Sequence, residues 1–319
     1  MYTLFSEKQY FNVHGIRVTV STKENYGFLQ QLYVEYGVFE EKKHFLEADI
    51  NFIIGEDISH ISNKVVTKCG NFMSIRDRDI YFSGQNISNP FFYIDDFRPY
   101  FTNIIYHNLA LRSNMLMLHA GSFSLNEKGY LLIGESGCGK SSLTLLNVLS
   151  GGSYLSNDIT YVGKKEGKIN IFALPQVMNL GDLALNWFCK EMGEEFHQFC
   201  CVEKEKEYNK KPKTCVQVKR EKMKILVENL NYIIFPEQDF NADQPWYEVL
   251  DVTCAFPKII SQIKTFDRVG YRKAVDTLTY IRNLEDLFDM IKGNVICVNF
   301  YWTKDHKKNM EVLRNICVD

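Results

Sequence analysis

The chain has 319 residues, of which 45% are hydrophobic and 24% charged, and its formal net charge is −2. This length allows one large domain or two of ordinary size, and the composition is typical of a globular protein, which excludes intrinsic disorder, a collagen-like repeat and a coiled coil. The near-zero net charge gives no global positive field, so we expect no nucleic acid partner.

No segment of the sequence indicates export or membrane insertion. Apolar runs such as residues 130–134 are far shorter than the roughly 20 residues of a membrane-spanning helix. The first residues lack the cationic start and apolar core of a secretory signal. The cysteines are irregularly spaced and form no CxxC pair, which is typical of reduced thiols. We therefore expect a cytoplasmic protein with no membrane partner and no structural metal site.

Residues 1–92 have the pattern of a β-rich N-terminal portion. Alternating apolar residues predict strands within 11–20 and 48–54, and charges interrupt a further β segment at 72–82. One helix is predicted at 27–36 from the spacing of its apolar residues. We place a domain boundary between residues 92 and 93, and residues 93–319 form the second predicted domain.

The second predicted domain begins with a helix whose start Asp95 and Asp96 can cap. Residues 115–120 and 130–134 then have the pattern of two paired strands. The polar turn at residues 126–129 joins them, and within it Gly129 can supply the unusual backbone angle. The sequence therefore predicts a β-hairpin that leads directly into the segment at residue 134.

The remaining pattern of the chain is one of strands and helices. The predicted elements are a strand at 230–235 that ends at Pro236, a helix over 259–266, a helix over 284–291 with Gly293 as C-cap, a strand at 295–301 and a last helix from about Lys304.

The most informative segment is residues 134–142, Gly-Glu-Ser-Gly-Cys-Gly-Lys-Ser-Ser. It matches G-x-x-x-x-G-K-[ST] in full, and it lies between an apolar strand and a helix-forming run, as a phosphate-binding loop requires. Glycine lets the backbone curl until consecutive N–H groups face one anion, and the helix N-terminus adds a partial positive charge. The predicted nucleotide-binding residues are Gly134, Glu135, Ser136, Gly137, Cys138, Gly139, Lys140, Ser141 and Ser142.

Two side chains of this segment have direct chemical roles in such a loop. The ammonium of Lys140 reaches the outer phosphates, where charge builds up during transfer, and Ser141 offers a hydroxyl to Mg²⁺. Glu135 lines the loop, and Cys138 is interpreted as a neutral spacer. The alternative, an ordinary glycine turn beside a surface lysine, leaves the glycine spacing and the adjacent Lys-Ser unexplained.

Together with His119 and the segment 151–158, Gly-Gly-Ser-Tyr-Leu-Ser-Asn-Asp, the loop resembles the catalytic domain of HPr kinase/phosphorylase and related kinases, including those that act on ribosomally made peptides. The resemblance covers roughly residues 95–180. It implies an α/β fold with a P-loop core related to phosphoenolpyruvate carboxykinase. It also implies that ATP and Mg²⁺ deliver a phosphoryl group to a hydroxyl of a peptide or small protein. GTP in place of ATP and an oligomeric assembly both stay open.

The resemblance assigns roles by position. His119 carries the family's histidine beside the terminal phosphate, where it donates a hydrogen bond or acts as a base. Asp158 matches an acid near the metal, so Ser141 and Asp158 are the implied Mg²⁺ ligands. Asn157 stands where the family has its presumed catalytic base. Since an amide does not accept a proton as a carboxylate does, either the base lies elsewhere, or positioning suffices, or transfer has been lost.

Two further observations bear on the acceptor. The charged stretch 203–213 is interpreted as a solvated helix or loop, or as a surface whose cations hold the transferring phosphate. The arginine signature of true HPr kinase is not visible after Pro175, which argues against HPr as acceptor. Three functions stay open: a kinase of peptides or small proteins, a small-molecule kinase, and a nucleotide-gated binding protein without transfer activity.

Overall fold

The computed structural model of the protein describes residues 7–24, 26–42, 44, 47–55, 58, 64–89, 92–112, 115–174, 176–208, 211–263 and 277–316. The chain divides into two compact units, Met1–Arg112 with Phe266–Lys273, and Ser113–Thr265 with Ala274–Asp319. Both units contain strands and helices, so the protein is of the mixed α/β class, with several sheets.

In the described part of the chain, the first unit contains one sheet and two helices. Its strands are β1 (Glu7–Val13), β2 (Ile16–Thr22), β3 (Ile50–Ile54), β4 (Val65–Val66), β5 (Phe72–Arg76) and β6 (Asp79–Ser83). Its helices are α1 (Phe28–Tyr36) and α2 (Arg98–Arg112), with a 3-10 turn at Gly37–Phe39 and a π-helical turn at Tyr93–Phe97. The sheet is six-stranded, in the order β1-β2-β3-β6-β5-β4.

The predicted β-rich character of this portion is confirmed by the sheet, and the predicted helix at 27–36 corresponds to α1. The alternating run at 11–20 is divided between β1 and β2 by a turn at His14 and Gly15, where both residues have positive φ. The segment 72–82 is likewise divided into the antiparallel strands β5 and β6.

An aromatic cluster forms the core of the first unit. Phe97 and Phe101 are fully buried, and their rings lie 5.4 Å and 4.9 Å from the ring of Phe52 in β3, measured between centroids. The ring of Tyr36 at the end of α1 lies 4.9 Å from that of Phe101. By this packing α2 belongs to the first unit. The domain boundary between residues 92 and 93 stays a prediction.

The predicted capping of this helix by Asp95 and Asp96 is wrong. The Asp96 side chain is fully buried, and it accepts hydrogen bonds at 3.0 Å from the backbone N–H of Cys69 and from Nδ2 of Asn71. The hydroxyl of Thr67 donates to the same carboxyl group. Buried donors need acceptors, so the carboxylate of Asp96 stabilises the preceding loop and does not cap the helix.

The second unit contains three sheets and six helices among the described residues. Its strands are β7 (Met115–Leu118), β8 (Ala120–Leu125), β9 (Lys128–Ile133), β10 (Ser153–Ser156), β11 (Thr160–Lys165), β12 (Lys168–Phe172), β13 (Met178–Gly181), β14 (Cys200–Tyr208), β15 (Lys211–Val218), β16 (Leu226–Val227), β17 (Leu230–Gln238), β18 (Trp246–Leu250) and β19 (Ile296–Trp302). Its helices are α3 (Lys140–Leu149), α4 (Asp182–Trp187), α5 (Gly193–Phe199), α6 (Val252–Ser261), α7 (Thr277–Asn294) and α8 (His306–Ile316). Short helical turns lie at Phe188–Met192 and Arg220–Lys222.

The six-stranded sheet β10-β8-β9-β17-β19-β18 organises this unit. The other sheets are β16-β12-β11-β7 and β13-β15-β14. Successive side chains of a strand point to opposite faces. Tyr130 and Leu132 of β9 accordingly join one apolar cluster with Leu143 of α3, while Leu131 joins a second cluster with Ile291 of α7. Both faces of the central sheet are therefore covered. Among the described residues, no helix combines the length and apolarity needed to cross a membrane.

The predicted hairpin is displaced by one strand. The structure pairs β8 with β9 around a turn at Asn126 and Glu127, where φ is 51° and 63°. Residues 115–118 form β7, which instead pairs with β11 in another sheet. Gly129 lies inside β9, where a Cβ atom would stand 2.5 Å from the carbonyl oxygen of Asn229. Glycine is required at this position by close packing, and the turn is made by its neighbours.

Four other predictions are corrected by the structure. Within the charged stretch, residues 203–208 and 211–213 belong to the antiparallel strands β14 and β15, because buried residues such as Val216 anchor β15 in the core. Pro236 lies within β17, beyond the last residue of β17 that pairs with β9, so its missing N–H costs no hydrogen bond on that side.

The two corrected helix predictions concern helix ends. Helix α7 continues past Gly293, which has no positive φ and is not a C-cap. Helix α6 ends at Ser261, and residues 264–276 lie outside the described part of the chain.

Replacing Asp96 by alanine should destabilise the first unit. The change leaves buried donors of the 67–71 loop without an acceptor, and we expect a loss of about 3 kcal/mol in the free energy of unfolding. The matched control is Asp95→Ala, because Asp95 pairs with the exposed Lys68 at 2.6 Å. An exposed pair contributes about 0.5 kcal/mol. Urea unfolding measures both values, and equal losses would contradict the assigned role of Asp96.

Candidate functional site

The segment between β9 and α3 is a glycine-containing loop of residues 134–139. Gly137 has φ of +91° and Gly139, which directly precedes α3, has φ of +106°. These left-handed angles disfavour any residue with a Cβ atom. The strand, loop and helix therefore follow in the order expected from the sequence, and two of the motif's glycines are explained by backbone geometry.

Lys140 is the first residue of α3, and its side chain returns to the loop. Its ammonium donates hydrogen bonds to the carbonyl oxygens of Gly134 at 2.7 Å and Glu135 at 3.0 Å. The residue is only 6% exposed. A positive charge is thus held inside the loop by two backbone dipoles.

The carbonyl groups of the loop are held by two residues from distant strands. Nε2 of Gln238, at the end of β17, donates to the carbonyl oxygen of Gly137 at 2.9 Å. Nε1 of Trp302, at the end of β19, donates to the carbonyl oxygen of Cys138 at 2.8 Å. In a trans peptide the C=O and the following N–H point in opposite directions. The N–H groups of Cys138 and Gly139 are therefore turned away from the side occupied by Gln238 and Trp302.

The amide of Gly139 is available to a ligand. The N–H of Cys138 makes a long bond of 3.3 Å to the carbonyl oxygen of Glu135, whereas that of Gly139 has no acceptor within the described residues. An ammonium group and backbone amides around one curled loop form the arrangement that binds anions.

Trp302 also packs directly on the loop. A Cβ atom added at Gly139 would stand 2.6 Å from the Trp302 ring, closer than any real contact. Glycine is therefore required at residue 139 for two reasons, the left-handed backbone and the indole beside it.

The thiol of Cys138 has a pKa above its ordinary value, and burial of the side chain is the largest cause of this rise. This agrees with the interpretation of Cys138 as a neutral spacer, because the thiolate is the reactive form.

The topology of the central sheet brings the other candidate residues to this loop. Strands β17 and β19 run parallel to β9, and β10 has the same direction because it is antiparallel to β8, the antiparallel partner of β9. The carboxyl ends of these strands therefore lie at one edge of the sheet. Ala120 pairs with Ile133, which places His119 opposite Gly134 at that edge. Asn157 and Asp158 directly follow β10 at the same edge.

The pairing of β11 with β7 in the neighbouring sheet also places Asp158 beside the segment that contains His119. Thr160 of β11 pairs with Leu118, and its hydroxyl donates to the carbonyl oxygen of Ala120 at 2.9 Å. Residues 158–160 therefore run beside residues 118–120. The structure thus brings four of the predicted residues, His119, Lys140, Asn157 and Asp158, to one edge of the sheet.

A buried glutamine connects two predicted site residues. Oε1 of Gln262 lies 3.1 Å from Nδ1 of His119, and Nε2 of Gln262 donates to Oε1 of Glu135 at 2.9 Å. The backbone N–H of His119 donates to the carbonyl oxygen of Gln262 at 2.8 Å. Glu135 thereby contacts His119 through one intermediate side chain.

Asn157 is almost completely buried, at 1% exposure. Its Oδ1 has no hydrogen-bond partner among the described residues, and neither has Oγ1 of Thr144 on α3. Both residues flank Gly121, where a Cβ atom would stand 2.6 Å from Thr144 Oγ1 and 3.4 Å from the carbonyl oxygen of Asn157. An unpaired buried polar atom costs about 1–3 kcal/mol, so this position favours a water molecule or a ligand group.

The oxygen donors of the site fit Mg²⁺. Ser141 and Asp158 are both half-buried. Among the described residues no cluster of three or more His, Cys, Asp or Glu side chains could hold a metal ion on its own. Mg²⁺ is usually bound by one or two protein oxygens together with substrate phosphates and water. The hydroxyl of Ser141 and the carboxylate of Asp158 would therefore be enough protein ligands for Mg²⁺.

Sequence reasoning missed Gln238, Gln262 and Trp302. Each comes from a later element of the chain and contacts a residue of the loop. These contacts depend on the tertiary fold, so no local sequence pattern indicates them. Lys219, which follows the charged stretch, is a further cation that the sequence offers for the transferring phosphate, and its ammonium donates to the carbonyl oxygen of His197 at 3.2 Å. The side chains of Lys211 and Lys213 lie outside the described part of the chain.

Comparison with solved structures gives a structural likeness at low sequence identity. No protein-family model matches the chain, and no curated protein matches it. Among the solved structures that match is the HPr(Ser) kinase/phosphatase from Coxiella burnetii, with 13% sequence identity and a TM-score of 0.32, over 63% of this chain and 90% of that chain. Membership of the HPr kinase family stays a prediction.

Replacing Gly139 by alanine should destabilise the loop more than replacing Gly137. Both changes force a left-handed alanine, at about 1–2 kcal/mol each. Only Gly139→Ala also places a methyl group against Trp302, which adds about 1–3 kcal/mol, whereas nothing lies within 4 Å at Gly137. Thermal unfolding of both variants measures the difference. Equal stabilities would contradict the packing of Trp302 on Gly139.

Proposed function

We propose that the protein is a P-loop kinase that binds Mg·ATP at residues 134–142 and transfers the γ-phosphoryl group to a hydroxyl of a peptide or small protein. The observation that carries this proposal is the loop itself. Gln238 and Trp302 hold its carbonyl groups on one side, while Lys140 lies within it. An ordinary turn needs neither this outside support nor a buried ammonium.

The phosphates would be bound by the amides of the loop and by Lys140. Its ammonium now donates to backbone oxygens, which bind it less strongly than a phosphate oxygen would. An incoming triphosphate therefore competes favourably for the same ammonium. The N-terminus of α3 adds a partial positive charge on the same side. When bound through Ser141 and Asp158, Mg²⁺ supplies charge neutralisation between the outer phosphates.

The acceptor hydroxyl would lie on the side of the site formed by His119 and Asn157. Both residues are at the edge of the sheet beside the loop, and the side-chain NH₂ of Asn157 can donate a hydrogen bond to the oxygen of that hydroxyl. Phosphoryl transfer depends mainly on positioning and charge stabilisation. A site without a carboxylate base at residue 157 is therefore compatible with transfer.

A second candidate is a nucleotide-gated binding protein that does not transfer phosphate. The amide at Asn157 favours it, because this side chain stands where related kinases have the presumed base. A small-molecule kinase is the third candidate, and it differs in having no affinity for peptides.

Nucleotide binding is tested by Lys140→Ala. Removal of the ammonium should weaken Mg·ATP binding at least about tenfold, because the outer phosphates lose a charge-assisted contact. Lys165→Ala is the matched control, since Lys165 lies on the exposed end of β11 in the same unit. Isothermal titration measures both dissociation constants. Equal affinities in wild type and Lys140→Ala would contradict the proposed phosphate site.

Transfer is tested at residues 157 and 158. With a peptide substrate and labelled ATP, Asp158→Ala should reduce magnesium-dependent transfer about a hundredfold, while Asn157→Asp leaves it measurable. If wild type transfers nothing and Asn157→Asp creates transfer, the non-transferring protein is the correct alternative. Screening small hydroxyl compounds in the same assay separates a small-molecule kinase from a peptide kinase.

A further inference from the structure

We propose that Gln262 is a positioning residue that sets the tautomer of His119, so that Nε2 of the neutral ring accepts a proton from the acceptor hydroxyl. The catalytic part of this inference rests on the proposed kinase function. The structural part, the tautomer, does not depend on it.

Gln262 is fixed in place by several contacts. It follows the last residue of α6, it is 5% exposed, and its backbone N–H donates to the carbonyl oxygen of Ile259 at 3.0 Å. Its side-chain Nε2 lies 2.9 Å from Oε1 of Glu135 and 3.2 Å from Oγ of Ser261. Its Oε1 lies 3.1 Å from Nδ1 of His119. The amide thus bridges a carboxylate and an imidazole.

The charge on Glu135 determines which way this amide faces. A carboxylate can only accept hydrogen bonds, so the NH₂ group of Gln262 must face Glu135. The carbonyl oxygen of Gln262 then faces His119, and a carbonyl oxygen also only accepts. Nδ1 of His119 must therefore carry the hydrogen. In the neutral imidazole the lone pair is consequently on Nε2.

This tautomer decides between the two roles that the sequence leaves open for His119. A neutral ring with its hydrogen on Nδ1 accepts at Nε2, so His119 acts as a base toward the substrate. The hydroxyl O–H bond breaks and its proton moves to Nε2 while the oxygen bonds to the γ-phosphorus. The bond from this phosphorus to the bridging oxygen breaks, and ADP leaves with the electron pair. The imidazolium later releases its proton to water.

Such a base also accounts for the amide at Asn157. With the proton accepted by His119, the side-chain NH₂ of Asn157 needs only to donate a hydrogen bond to the hydroxyl oxygen. Glu135 fixes the orientation of the Gln262 amide, and through it the hydrogen on Nδ1 of His119.

The tautomer is measured by nitrogen-15 NMR of the histidine rings in the full chain without nucleotide, with the His119 signals assigned by their loss in His119→Asn. We expect wild type to show the hydrogen on Nδ1. Gln262→Met removes both hydrogen bonds and should give a mixture of tautomers. Glu135→Gln frees the Gln262 amide to turn over and should do the same. Glu166→Gln, the same change in the exposed turn at Glu166 and Gly167, should leave the wild-type spectrum.

Gln262→Glu separates this role from general packing. Its carboxylate still accepts from Nδ1, so the wild-type tautomer should return even though the bond to Glu135 is lost. In the transfer assay Gln262→Met should lower kcat about a hundredfold, with little change in the KM for ATP. A hydrogen on Nε2 in wild type, or an unchanged tautomer in both Gln262→Met and Glu135→Gln, would overturn the inference. If Mg·ATP fails to bind while the tautomer is as expected, the proposed function fails and the positioning by Gln262 stands.

Discussion

The pairing of β8 with β9 is the constraint on which the rest of the site depends. Ala120 lies opposite Ile133, so the residue before β8 and the residue after β9 meet at one edge of the sheet. A shift of one residue would turn every side chain of the strand to the other face. His119 would then no longer lie opposite Gly134. The tight packing of Gly129 against Asn229 opposes such a shift, since a residue with a Cβ atom does not fit there.

Support from outside the loop holds the glycine-rich turn in the geometry that the proposed anion site requires. The contacts of Gln238, Gln262 and Trp302 come from the ends of β17, α6 and β19, which lie in the same unit as the loop. Each contact fixes one group: a carbonyl of the loop, the Glu135 carboxylate, or the position of Gly139. Preorganised dipoles need little rearrangement when charge develops, and this is the main physical basis of phosphoryl-transfer catalysis.

The parts of the fold that were predictable from sequence are those set by local chemistry. The loop at residues 134–142 could be located because backbone curvature needs glycine and phosphate needs lysine, both at fixed spacing. Helix α1 and the strand that became β19 followed from apolar periodicity. Local patterns failed where a distant partner decided the outcome. Asp96 binds a loop instead of a helix end, and residues 115–118 pair with β11 instead of β9. Gln262 could not be found at all, because its two partners lie far from it in sequence.

The order of these supports along the chain has a consequence for how the protein is made. Residues 134–139 leave the ribosome long before Trp302, the residue whose indole holds the carbonyl oxygen of Cys138. Strand β19, which carries that tryptophan, is also needed to extend the central sheet beside β17. During synthesis the nascent loop therefore has its glycines and lysine but lacks its final geometry. The proposed nucleotide could therefore assist folding only after Trp302 has emerged from the ribosome.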